Sequence, residues 1–233
     1  YKKLDEFIQR QTFEHVFHFA AQAGVRYSVI NPNKYTLTNI VGTINLLDCF
    51  KNKKLKKIFL ASSSSVYGES KRFPLKETEK LFPINHYAYT KLINEETGKY
   101  YSKNFNKNIY MLRFFTVYGK WGRPDMFLFK LFKSIFKKNY FDLNNRGHHE
   151  RDFTYIDDVC EILLRIMKKK ISKKYDIFNI CSNNPVNIRN IILYLQDQVG
   201  LNLKINNISK NKLDVLKTHG SNKKIVNFIG FKK

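Results

Sequence analysis

The sequence predicts an α/β fold: a mostly parallel sheet covered by helices, with a smaller mixed α/β region beside it. Two observations predict it. Short apolar, β-branched or aromatic runs recur along the chain, and most are followed by a segment whose apolar residues fall at helical spacing. A third supports it: 43% of the 233 residues are hydrophobic, enough for one large core or one and a half.

In chain order, Tyr1 to Ile8 is charged and helical in look. His15-Val16-Phe17-His18-Phe19 predicts a buried strand. Leu37, Ile40, Val41, Ile44 and Leu47 then predict a helix over 34–50. Ile58-Phe59-Leu60-Ala61 is a second strand, 86–104 a helix, and Ile109 to Phe115 a third strand. Leu128, Leu131, Phe132 and Ile135 mark a helix, as do Val159, Ile162, Leu163, Ile166 and Met167. Tyr175 to Cys181 is a fourth strand, and Ile188 to Leu195 a helix that Asn187 can cap. Ligands of such sheets bind outside the carboxyl ends of the strands, which places the chemistry just after residues 19, 61, 115 and 181.

Composition narrows the function classes. The formal net charge is +23, but the excess is lysine in short scattered clusters rather than arginine, the residue suited to gripping guanine or phosphate. The expectation is therefore no nucleic-acid partner. No apolar run approaches the ~18 residues of a membrane helix. Cys49, Cys160 and Cys181 lie far apart without metal spacing, as expected of buried thiols in a reducing cytoplasm. Neighbouring His148 and His149 read as solvated, and no metal site is expected.

The chemistry begins after the second strand, with Ala61-Ser62-Ser63-Ser64-Ser65-Val66-Tyr67-Gly68. A serine run is by itself usually a loop. Tyr87 and Lys91 follow, four apart on the predicted helix and so on one face; Tyr89 points elsewhere and reads as packing. A phenol with a pKa near ~10 is a poor base at neutral pH. A nearby ammonium and a cationic nicotinamide ring both favour phenolate, so the pKa is expected to fall. With a serine sharing the proton, the trio can deprotonate an alcohol while its carbon gives up hydride.

In content and order these residues resemble the extended short-chain dehydrogenase/reductase superfamily, and within it the UDP-glucuronate 4-epimerases. His18 to Ser28, Ala61 to Gly68 and Arg113 to Gly119 carry the resemblance, with Trp121-Gly122-Arg123-Pro124-Asp125-Met126 and Arg151 to Val159 the most diagnostic stretches. The resemblance implies a Rossmann-like sheet, NAD as cofactor and a UDP-sugar as substrate. It implies Ser63, Tyr87 and Lys91 as catalytic residues. Phe19, Ala20, Ala21, Asn39, Ala61, Tyr87, Lys91 and Phe114 would bind the cofactor. Ser64, Ser65, Thr116, Arg123, Arg151 and Asp214 would bind the substrate, with backbone near Phe141 to Leu143 holding the uracil. For the two arginines an ordinary surface ion pair competes, Arg151 with Asp152. A homodimer through helices 34–50 and 86–104 is also implied. Residues 1–118 and 150–181 would form a partial NAD-binding domain, and 119–149 with 182–233 the sugar-nucleotide region.

The implied reaction is epimerisation at C4 of a UDP-hexuronic acid, UDP-glucuronate to UDP-galacturonate, through a transient 4-keto sugar. UDP-glucose 4-epimerase and UDP-glucuronate decarboxylase share the oxidation step and stay open. A 4,6-dehydratase is disfavoured because Ser64 and Ser65 stand where an Asp-Glu pair is needed. An inactive remnant or a nucleotide- or RNA-binding protein is the reading of another class. The chain departs from the family in lacking the glycine-rich phosphate loop, which is expected on strands before residue 1. Alone the chain is therefore expected to turn over poorly, with an apolar sheet edge exposed. Leu213 also stands where the family pattern has a glycine, before Asp214.

Overall fold

The computed structural model describes residues 1–137, 139–170, 172–200 and 203–230, save the side chain of Val199. After helix α1 (Lys2–Gln9), strands β1 (His15–His18), β2 (Lys57–Ser63) and β3 (Ile109–Phe114) pair in parallel. Strand β7 (Tyr175–Ile180) joins β3, giving the order β1-β2-β3-β7. The expected parallel Rossmann-like sheet is thus present. β2 and β3 are buried almost throughout, which is why they read as continuous apolar runs rather than alternating ones. β1 has one strand partner, β2, among the described residues, and its Phe17 is exposed.

Helices cover both faces. α1, α4 (Gly42–Phe50) and α5 (His86–Asn104) close a core of Leu47, Phe50, Ile58, Leu60, Ile109 and Met111 on one side. α7 (Ile156–Lys168) and α9 (Lys223–Ile229) close one of Phe59, Tyr110, Leu112, Ile162, Ile166 and Ile225 on the other. Phe59 is fully enclosed, so Phe59→Ala would cost about 3–5 kcal/mol.

The helix expected over 34–50 is present, starts at Pro32 and carries a π insertion. After α2 (Tyr27–Ile30) and α3 (Pro32–Tyr35), residues Thr36–Val41 form π-helix before α4 begins. Wide π turns are frequent at functional sites, and the buried residue of this one is Asn39. Short elements unread in the sequence build the rest. β4 (Thr116–Tyr118), β6 (Glu150–Tyr155) and β8 (Pro185–Asn187) form one small sheet; β5 (Phe141–Asn144) pairs with β9 (Ile205–Ile208) in another. α6 (Phe127–Lys137) and α8 (Ile188–Val199) pack on the latter, and Asn187 caps α8 by accepting from Arg189 N at 2.9 Å.

Three smaller expectations change. Cys160 is exposed while Cys49 and Cys181 are buried. His149 is buried, and Tyr89 is half exposed rather than packed. Phe141 and Leu143 place their side chains in an apolar core, and β5 pairs with β9 along one edge.

Candidate active site

A cavity of about 670 Å³ opens at the carboxyl ends of β1, β2 and β3. Phe19, Ala21, Ala61, Ser63, Ser64, Ser65, Tyr87, Lys91, Phe114, Thr116, Arg123, Arg151 and Asp214 all line it. The structure therefore brings together residues up to 195 positions apart in sequence, among them every proposed catalytic residue. The turn directly after β7 does not line it: Ser182 and Asn183 are bound by buried Asp152 instead, at 2.8 and 3.2 Å.

Local structure sets the catalytic trio. β2 runs into a 3-10 turn (Ser64–Tyr67) that Ser63 opens, its Oγ accepting from Ser65 N at 3.2 Å and donating to Ser65 Oγ at 3.1 Å. The turn must end at glycine: Gly68 has φ 63°, and a Cβ there would lie 1.9 Å from Phe82 O. Asn85 starts α5 by accepting from Ala88 N at 2.9 Å, which presents Tyr87 and Lys91 on the cavity face of its first turns.

Electrostatics differ from the sequence expectation. Burial raises the pKa of Tyr87, and this outweighs the lowering by a Ser63 hydrogen bond and by the Arg123 charge. Lys91 Nζ lies 5.9 Å from the Tyr87 ring centroid, yet burial brings its own pKa down to about 8. The protein's groups alone therefore do not make the phenol acidic; desolvation beats the charges they supply. His18 is held neutral, its pKa lowered to about 4 by burial and by the Lys91 charge.

A buried network holds the platform. Glu95, one turn beyond Lys91, accepts from Ser62 Oγ at 2.5 Å and from Arg113 Nε and Nη2 at 2.8 and 2.7 Å. Arg113 Nη1 donates to Tyr67 Oη at 2.9 Å, and Tyr67 Oη to Asn179 Oδ1 at 2.7 Å. α5, β2, β3 and β7 are thereby tied together directly behind Ser63. The sequence held this signal in Arg113, a charge inside the apolar run of β3, but nothing in it said that Glu95 meets it.

The remaining candidates divide. Asn39 does not line the cavity: its amide donates to Gln22 O at 3.0 Å and Thr90 Oγ1 at 2.9 Å and accepts from Gln22 N at 2.8 Å. It pins the loop after β1 to α5, behind the catalytic residues. Ala20 likewise does not line the cavity, while Phe19 and Ala21 do. Arg123 forms a two-bond pair with Asp125, at 2.9 and 2.6 Å. Arg151 is not tied to Asp152; it donates to the carbonyls of Glu150, Val215 and Leu216 at 2.9, 2.8 and 3.1 Å. Asp214 is paired with Arg26 at 2.7 Å. No cluster of metal-binding side chains occurs among the described residues.

Lys91 tests whether a dinucleotide suits this cavity. Its buried ammonium has one hydrogen-bond partner among the described residues, Ala61 O at 2.8 Å. Two donors are left for a bound ribose, and Phe19, Ala21, Ala61 and Phe114 supply apolar wall for a flat ring. The residues fit the nicotinamide end of NAD.

A Rossmann-like sheet with serine, tyrosine and lysine gathered at its carboxyl edge defines a nicotinamide-dependent enzyme of the short-chain dehydrogenase/reductase class. The chain belongs to the NAD dependent epimerase/dehydratase family, whose model matches residues 1–181, and with it to the NAD-dependent nucleotide-sugar epimerases. It is 36% identical over 249 residues to Protein CapI of Staphylococcus aureus, covering 100% of this chain and 75% of that one. It is 38% identical over 227 residues to UDP-glucuronate 4-epimerase 4 of Arabidopsis thaliana, covering 90% of this chain and 52% of the relative. The crystal structure of UDP-glucuronic acid 4-epimerase from Bacillus cereus with UDP-glucuronic acid and NAD superposes with a TM-score of 0.91 at 31% identity, over 98% of this chain and 72% of that one.

Proposed function

We propose that the chain carries the C4 epimerisation of a UDP-hexuronic acid, converting UDP-glucuronate to UDP-galacturonate. The observation that carries this is the single cavity in which Ser63, Tyr87 and Lys91 meet a wall of uncharged hydroxyls, Ser64, Ser65 and Thr116. The kinship to UDP-glucuronate 4-epimerases of Arabidopsis thaliana and Bacillus cereus supports the choice.

Tyr87 takes the proton of the sugar 4-hydroxyl, with Ser63 sharing it in flight. Lys91 holds the nicotinamide ribose and adds its charge beside the phenol when protonated. NAD, when bound, accepts the C4 hydride and gives it back, and its ring cation supplies the charge that Tyr87 lacks from the protein. Arg123 and Arg151 hold the diphosphate, and Asp214 the nucleotide ribose, while the flat 4-keto sugar turns between its two faces. Ser64, Ser65 and Thr116 hold the C5 carboxylate. That grip matters because a 4-keto uronic acid is a β-keto acid; a carboxylate kept out of the cleavage plane does not leave as carbon dioxide.

The four-stranded sheet draws all its strands from residues 1–118 and 150–181, which we assign to the cofactor, with 119–149 and 182–233 on the sugar-nucleotide side. A homodimer is supported by exposed Leu37, Val41 and Ile44 on one helical segment and exposed Tyr89 and Ile93 on α5. The enzyme works in the cytoplasm, where its three unpaired thiols stay reduced. No helix among the described residues is long and apolar enough to cross a membrane.

Incubating the full-length enzyme with UDP-glucuronate and NAD and reading the sugar by NMR tests the assignment. UDP-galacturonate is expected. Release of UDP-xylose, or turnover of UDP-glucose alone, overturns it.

A further inference from the structure

Trp121 stands out on energetic grounds. It is the one tryptophan of the chain, it is 100% exposed, and it lines the mouth of the catalytic cavity. No ring or cation stacks on it among the described residues. Its backbone is left-handed, φ 61°, at the third position of the Gly119–Gly122 turn, closed by Gly122 N donating to Gly119 O at 3.3 Å. Glycine or asparagine suits that turn position, because a Cβ crowds the backbone there. The sequence thus puts its largest apolar side chain in water, on a strained residue, with no packing in return. Strain held in this way points to a functional constraint.

The turn is anchored so that the side chain stays at the mouth. Gly119 has φ 133°, and a Cβ there would lie 2.5 Å from Ile156 Cγ2, so the backbone presses directly on the start of α7. On the other flank Arg123 is clamped by Asp125. Arg123, Tyr118 and Met126, within five residues of Trp121 in the chain, line the same cavity.

Building on the nucleotide-sugar assignment above, we propose that Trp121 is a ligand-binding residue: its indole closes onto the bound UDP-sugar. The return missing from the fold comes from the ligand. An indole face suits the CH face of a hexose or the ring of a pyrimidine, and covering either removes apolar area from water.

The single tryptophan makes its own probe. Wild-type protein is titrated with UDP and with UDP-glucuronate, following both indole emission and heat by calorimetry. A saturable blue shift with reduced iodide quenching is expected, at the dissociation constant the calorimetry gives. Response to UDP puts the indole against the nucleotide half; response to UDP-glucuronate alone puts it against the hexuronate. Trp121→Gly should bind about tenfold more weakly, the scale of one aromatic contact. Its melting temperature should equal or exceed that of wild type, because the turn is relaxed. Trp121→Phe should recover most of the affinity. Binding by calorimetry with unchanged emission, or wild-type affinity in Trp121→Gly, overturns this proposal and leaves the functional assignment standing. Absence of any heat from either nucleotide overturns both.

Discussion

Lys91→Met should stabilise the protein while abolishing its activity. Lys91 is buried, and that burial takes its pKa from the ordinary 10.5 to about 8. The drop of about 2.5, at about 1.36 kcal/mol each, is a cost of about 3 kcal/mol for holding the ammonium out of water. Methionine matches the stem in length and carries no charge. Losing the hydrogen bond to Ala61 O returns about 1 kcal/mol, so the net gain is about 2 kcal/mol. In a chain of this size that is about 4–8 °C in melting temperature. The sign of the pH dependence follows. Between about 8 and 10.5 the unfolded lysine is protonated and the folded one is not, so wild-type stability rises with pH across that window. The methionine variant lacks this rise, and the gap between the two should be widest below pH 8 and should close toward pH 10.5. Thermal melts of both proteins from pH 6.5 to 10 measure it. A variant that melts below wild type, or a gap independent of pH, would refute the desolvation account of this lysine.

Three further outcomes are expected. Tyr87→Phe should lower turnover by about 10²–10⁴-fold, with UDP-glucuronate affinity by calorimetry little changed, because it removes the proton acceptor and leaves the cavity shape. Glu95→Gln should cost about 3–5 kcal/mol in chemical denaturation, since Arg113, 2% exposed, would be left charged without its partner. Leu37→Glu combined with Ile93→Glu should yield a monomer by analytical ultracentrifugation with the fold intact, since both side chains are exposed; an unaltered dimer would move the interface elsewhere.

How much was legible in the chain can be read from single elements. β2 and β3 were plain because strands buried on both faces carry unbroken apolar runs, Ile58 to Ala61 and Ile109 to Leu112, and α7 because Val159, Ile162 and Ile166 recur at helical period. Strands of three or four residues, such as β4, β8 and β9, carry too few positions to establish a period of two. Ser63, Tyr87 and Lys91 were legible through local rules: a strand end, and two residues four apart on a helix. The π turn that carries Asn39 was not legible, because periodicity at 3.6 residues does not register one extra residue in a turn.

Sequence alone determined the strands of the main sheet, the long helices, their apolar faces and the serine–tyrosine–lysine trio, because each follows from neighbours within a few residues. Tertiary structure decided what those groups experience. Whether Lys91 is charged and whether Tyr87 is acidic depend on water excluded by segments far away in the chain, and that Arg113 meets Glu95 and Asp214 meets Arg26 depends on long-range folding. Desolvation and long-range pairing act through space, so only the folded chain sets them.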